Sequence, residues 1–107
     1  MASKDILRNL DQVLQERKSA TPADSYVANL YAGGNRRIAD KILEEAEELI
    51  AAADGKDRDH IIHETADLWF HCLVLLASKN IASQAILEEL AKRFGVSGHQ
   101  EKRQRGK

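Results

Sequence analysis

Apolar positions recur along most of the chain with the helical period, and strand-like alternation is scarce. After Ser3, placed to cap a helix, Ile6, Leu7, Leu10, Val13 and Leu14 form an amphipathic stripe that ends near Arg17. A second helix is predicted from Thr21-Pro22-Ala23-Asp24, which resembles a capping box with proline at the first helical position. It carries Tyr26, Val27, Leu30 and Tyr31 and stops at Gly33-Gly34. A third, capped by Asn35, runs to Ala53. A fourth runs from about Asp57 to Lys79, with Asn80 suited to the position after a helix end, and a fifth from a Ser83 cap through Ile86, Leu87, Leu90 and Phe94 to Gly95. Only Asp54-Gly55-Lys56-Asp57 separates the third from the fourth, which predicts an antiparallel helical hairpin. The expectation is an all-α fold of about five helices, one domain over residues 1–98, with a polar and loosely ordered tail over 99–107.

The stretch Leu68–Ala77 breaks the amphipathic rule, being apolar nearly all round. A helix apolar on every side must be enclosed on every side. The remaining helices are amphipathic and modest in length, so the pattern predicts a homodimer in which the third and fourth helices of two chains complete a four-helix bundle.

Charge within the third helix changes the picture from packing to chemistry. Ile38, Ile42, Leu43, Ala46, Leu49, Ile50 and Ala53 fill one arc, and Glu44, Glu45 and Glu48 gather beside it with Lys41. Like-charged pairs at these spacings each destabilise a helix by about 0.2–0.5 kcal/mol, and a bound cation reverses the sign. The fourth helix repeats the device with Glu64 and Asp67 on one side. Across a hairpin the two groups build an all-oxygen cage, the donor set of hard cations such as Mg²⁺, which keep further positions for water and substrate phosphates. Phosphate chemistry is therefore the leading expectation. Arg36, Arg37 and Lys41 are candidates for holding phosphate oxygens, and Glu47 is assigned to solvent.

Two other readings stay open on the residues alone. His60, Glu64, Asp67 and His71 share a face, which suits zinc or iron, although the third helix offers no imidazole or thiol to join them. Alternatively, the acids form a docking face of a non-catalytic helical interaction module. Against that stands the position of Glu64 and Asp67 directly before the wholly apolar segment.

Composition narrows the setting. In 107 residues, 16 Lys and Arg against 17 Asp and Glu give a net charge of −1, which excludes a bulk electrostatic footprint for nucleic acid. Cys72, the single cysteine, lies in an apolar run, so no internal disulfide forms and a reducing, cytoplasmic setting is expected. Lys4, Asp5 and Arg8 occupy the place where a signal peptide needs its apolar region. No apolar run approaches the ~18 residues of a membrane span.

Ser25-Tyr26-Val27, Leu30, Ile38, Lys41, Glu44-Glu45-Ala46 with Glu48, Glu64-x-Ala66-Asp67-Leu68, His71-Cys72-Leu73-Val74-Leu75-Leu76 and Ser97-Gly98 together carry a resemblance. In these segments, from about Ser25 to Lys102, the chain resembles the phosphoribosyl-ATP pyrophosphohydrolases of histidine biosynthesis, within the all-α MazG-like nucleotide pyrophosphatase superfamily. The resemblance implies hydrolysis of phosphoribosyl-ATP to phosphoribosyl-AMP and pyrophosphate, with Mg²⁺ held by Glu44, Glu45, Glu48, Glu64 and Asp67. Glu44 and Glu45 are the catalytic candidates, Glu44 as a further ligand or as the base that orients water. Family members are also expected to dimerise. Leu43 stands where a glycine is expected before the paired glutamates, and Glu47 replaces a more usual small or uncharged residue; neither change removes a proposed ligand. A house-cleaning hydrolase of free nucleoside triphosphates is the alternative within the same class.

Overall fold

Residues 5–95 are described in this computed structural model, and they form four α-helices: α1 (Ile6–Glu16), α2 (Tyr26–Ala53), α3 (Arg58–Ser78) and α4 (Ser83–Phe94). No strand occurs among the described residues. Ser3, the 98/99 domain limit, Ser97-Gly98 and the 99–107 tail lie outside them.

Five helices are expected from the pattern and four are found, because the expected second and third are one element bent at Gly34. Gly34 has φ 74° and ψ −171°, a conformation open essentially to glycine alone, and a Cβ there would meet nothing within 4 Å. The bend is therefore set by backbone freedom and not by crowding. Gly33 is the close-packed one of the pair, since a Cβ on it would fall 2.6 Å from the Cβ of Arg37.

The start of α2 also differs from the expected Thr21-Pro22 cap. The Thr21 carbonyl accepts from the amides of Asp24 and Ser25, and the Thr21 hydroxyl donates to the Asp24 carboxylate at 2.6 Å, closing a separate turn. The helix begins one turn later, where the Ser25 hydroxyl accepts from the Ala28 amide at 3.1 Å. Asp57 caps α3 by accepting from the amides of Asp59 and His60. At its other end Asn80 takes φ 60°, the Asn80 amide bonds the Ala77 carbonyl, and the Ile81 amide bonds that of Leu76, which is the Schellman arrangement. Ser83 does not cap α4. It is the first residue of that helix, and its amide and hydroxyl both donate to Asp11 of α1, at 3.0 and 2.7 Å.

Leu14, Val27, Leu30, Ile38, Leu73, Val74 and Ala77 make the core, joining α1, both arms of α2 and the C-terminal half of α3. Burying each of the larger ones stabilises the fold by about 1.5–3 kcal/mol. The Tyr31 hydroxyl donates to the Leu14 carbonyl at 2.8 Å, tying the end of α1 to the first arm of α2. Burial pushes the Tyr31 phenol above its usual pKa.

The core does not enclose every apolar side chain. Leu43, Ile50 and Trp69 are 64%, 67% and 60% exposed, and Ile86, Leu87, Leu90 and Phe94 of α4 are also exposed. A groove of about 270 Å³ runs between α1, α3 and α4, lined by Leu7, Trp69, Cys72, Leu76, Leu87 and Leu90. Among the described residues no single helix is long and apolar enough to cross a membrane.

Candidate active site

The acids of α2 lie after the bend, and helical spacing places Glu44, Glu45 and Glu48 on adjoining positions of one surface. One carboxylate oxygen from each lies within 4.8 Å of the others. Glu45 is buried, at 6% exposure, whereas Glu44 and Glu48 reach solvent. Lys41 answers two of them, with its ammonium 3.1 Å from Glu44 Oε1 and 3.4 Å from Glu45 Oε2. The hydrogen bond to Glu44 leads the causes that raise the Lys41 pKa, offset in part by desolvation, with the Tyr26 phenol and Glu45 adding to the rise.

On α3, one ligand atom each from His63, Glu64 and Asp67 also fall within 4.8 Å of one another. The two outer imidazoles each meet a carboxylate one turn on, His60 Nε2 at 3.4 Å from Glu64 Oε2 and His63 Nε2 at 3.3 Å from Asp67 Oδ2. The Glu64 side chain keeps only 12% of its surface in solvent, so it leans into the space between the helices.

The two groups feel each other across the hairpin. The Glu48 carboxyl is pushed above its usual pKa, first by the negative charge of Glu45, then by desolvation and a hydrogen bond with Glu45, and then by the charges of Glu64 and Glu44. Crowded carboxylates raise one another's pKa when no cation neutralises them. Donors that are mostly carboxylate oxygen, crowded on two packed helices, fit a hard divalent ion.

Not every expected residue joins this cluster. Arg36 reaches only Asp40, at 3.8 Å with 91% of its side chain exposed, and Arg37 is exposed beside Gly33. Glu47 is exposed and lies in neither cluster. His71 is withdrawn from metal chemistry. It is buried, its Nδ1 donates to the Asp67 carbonyl at 2.8 Å, and its Nε2 is 2.7 Å from the Tyr26 hydroxyl. A carbonyl only accepts, so Nδ1 carries a proton and Nε2 is left to accept from the phenol. The Tyr26 and Phe70 rings both stand edge-on to that imidazole, at 5.8 and 5.3 Å between centroids.

His63 and Tyr26 were not among the site residues expected from sequence. The signal for His63 was its i,i+4 spacing to Asp67. Tyr26 stands among the residues that carry the resemblance, but its pairing with His71 has no local signal, because the two lie 45 residues apart.

With this geometry in view, the comparisons with known proteins are specific. Residues 7–94 match the family described as phosphoribosyl-ATP pyrophosphohydrolase. A phosphoribosyl-ATP pyrophosphatase of Nitrosomonas eutropha is 52% identical over 101 residues, covering 94% of this chain and 86% of that protein. One of Hydrogenovibrio crunogenus is 47% identical over 109 residues, covering 98% and 96%. A match across nearly all of the helical chain, both acid groups included, places it: the chain belongs to the phosphoribosyl-ATP pyrophosphohydrolase family.

Proposed function

We propose that the chain hydrolyses phosphoribosyl-ATP to phosphoribosyl-AMP and pyrophosphate in histidine biosynthesis, that it requires Mg²⁺, and that the acids of α2 and α3 are its working site. The observation that carries the reading is geometric: Glu44, Glu45 and Glu48 on α2, and His63, Glu64 and Asp67 on α3, each bring their ligand atoms within 4.8 Å of one another. Glu45, Glu48, Glu64 and Asp67 would hold Mg²⁺, with Glu44 as a further ligand or as the base. Mg²⁺ supplies positive charge against the phosphate oxygens and makes water a better nucleophile.

The chain's own residues supply the rest. In the role of base, Glu44, exposed at the edge of the cluster, would take the proton of the attacking water. Water oxygen bonds to the α-phosphorus, the α–β bridging bond breaks, and pyrophosphate leaves with the bond's electrons. Lys41, held between Glu44 and Glu45, turns its ammonium to a phosphate oxygen when substrate enters. Arg36 and Arg37, exposed and outside the acid cluster, are candidates for the outer phosphates of a long anion.

We infer a homodimer as the working unit. The motive is the apolar surface left on α2, α3 and α4. A radius of gyration of 16.3 Å supports it, being large beside the about 13 Å of a compact domain of 100 residues. A cytoplasmic setting follows from the biosynthetic role and the lone thiol, which burial pushes above its usual pKa.

The test is pyrophosphate release from phosphoribosyl-ATP beside ATP and dUTP, with Mg²⁺ and with EDTA. Release from phosphoribosyl-ATP that needs Mg²⁺ is the expected result. Faster release from ATP or dUTP makes the protein a house-cleaning hydrolase, and equal rates in EDTA remove the metal from the mechanism.

A further inference from the structure

The acid cluster accounts for the end of the substrate that is cut, and leaves open what holds the end that is not. A second concavity, of about 370 Å³, opens beside the first arm of α2, lined by Arg17, Asp24, Ser25, Tyr26, Val27 and Phe70. That volume lies within the usual range of small-molecule sites. Tyr26 belongs to both places. It lines this concavity, and its hydroxyl is linked through the His71 imidazole to the carbonyl of Asp67. Phe70 stands three residues after Asp67, one turn along the same face of α3. The concavity therefore adjoins the α3 side of the cluster.

Its chemistry differs from that of the cluster. The Arg17 guanidinium is within ion-pairing distance of no carboxylate among the described residues, although Asp24 shares the pocket. Asp24 is occupied on one oxygen by the Thr21 hydroxyl. The Ser25 oxygen accepts from the Ala28 amide, and its own proton remains for a ligand. Two aromatic side chains, a guanidinium unpaired among the described residues, one carboxylate and one hydroxyl suit a sugar phosphate. The rings pack on the sugar, the carboxylate accepts from its hydroxyls, and the guanidinium takes a phosphate monoester bidentately without a metal.

We propose that this pocket holds the phosphoribosyl end of the substrate, with Arg17 on its terminal phosphate and Tyr26 and Phe70 against the sugar. The proposal rests on the acid cluster as the site of cleavage. It makes Arg17 the residue that separates phosphoribosyl-ATP from a free nucleoside triphosphate, which lacks that phosphate.

The experiment measures equilibrium binding in the absence of metal, so that it does not depend on turnover. Phosphoribosyl-AMP and AMP are titrated calorimetrically into the full chain, into Arg17→Ala and into Arg17→Lys. The wild-type chain is expected to bind phosphoribosyl-AMP about ten- to a hundredfold tighter than AMP, as a charge-assisted bidentate contact allows. Arg17→Ala removes that gap with AMP affinity unchanged, and Arg17→Lys restores part of it. In turnover, Arg17→Ala raises KM for phosphoribosyl-ATP and leaves kcat in place. A wild-type chain that binds the two ligands alike, or a gap that survives Arg17→Ala, overturns the proposal. Failure of the acid cluster is read separately, as turnover that persists in Glu48→Gln.

Discussion

Glu45 is the most demanding of the described residues, a carboxylate almost out of water whose cation partner is Lys41 at 3.4 Å. A buried charge with so little compensation is costly to keep for packing alone. Glu45→Gln, Glu48→Gln and Asp67→Asn are each expected to abolish turnover with the helical circular dichroism unchanged, while Glu47→Gln stays near the wild-type rate. Near-wild-type rates in all three acid variants would sink the cage. Glu48 makes a second prediction. Its pKa in the folded chain lies above the ordinary 4.5, so between those two values the folded state binds more protons than the unfolded. In EDTA, stability should therefore fall as pH rises from about 4.5 through the raised pKa and level off above it. Glu48→Gln should flatten that fall in melts across pH, and an unchanged slope in the variant refutes the assignment. These acids were legible because helical spacing alone sets which of them adjoin. The pairing of Tyr26 with His71 was not, because it depends on how a bend and two helices bring together residues 45 apart.

At the scale of elements, the bend in α2 decides where the first arm lies against α3. Gly34 holds a backbone conformation that an L side chain adopts only under strain, and open space at its Cβ position removes any steric contribution. Gly34→Ala should therefore destabilise the chain by about 1–3 kcal/mol through the backbone alone, measured by urea unfolding. A loss below a few tenths of a kcal/mol would mean that the bend is not fixed by Gly34. The paired glycines announced an interruption but not its kind, since the same residues end one helix or hinge a longer one, and only the packing of Leu30 and Ile38 into one core chooses. Thr21-Pro22 misled for a local reason. The Thr21 hydroxyl finds Asp24 before it finds an amide, and side chains of this type compete with the helix for the same hydrogen bonds.

For the whole molecule, the exposed Leu43, Ile50 and Trp69 ask for a partner surface. Melts over a wide range of protein concentration should shift upward as concentration rises, with light scattering reporting a dimer. A well-folded monomer at micromolar concentration, with a melting temperature independent of concentration, would remove that inference. Within the apolar run of α3 only Trp69 is left exposed, the rest being buried or half-buried by the other helices, and Leu43 and Ile50 add to the open surface from α2. Which surface stays open could not be read from the run itself, since that depends on where α1 and α4 settle. Asp11 is the device that settles them. The first turn of α4 is closed by a carboxylate 72 residues earlier in the chain, so the helix lacks a local start signal and takes one from α1. That dependence predicts that α4 closes late in folding, once α1 is docked. Asp11→Ala should then quicken amide hydrogen exchange throughout α4 while α2 and α3 keep their protection, at a loss of about 0.5–2 kcal/mol typical of a missing cap. Uniformly faster exchange would mean instead that the chain opens as one unit, with no order written into which end closes last.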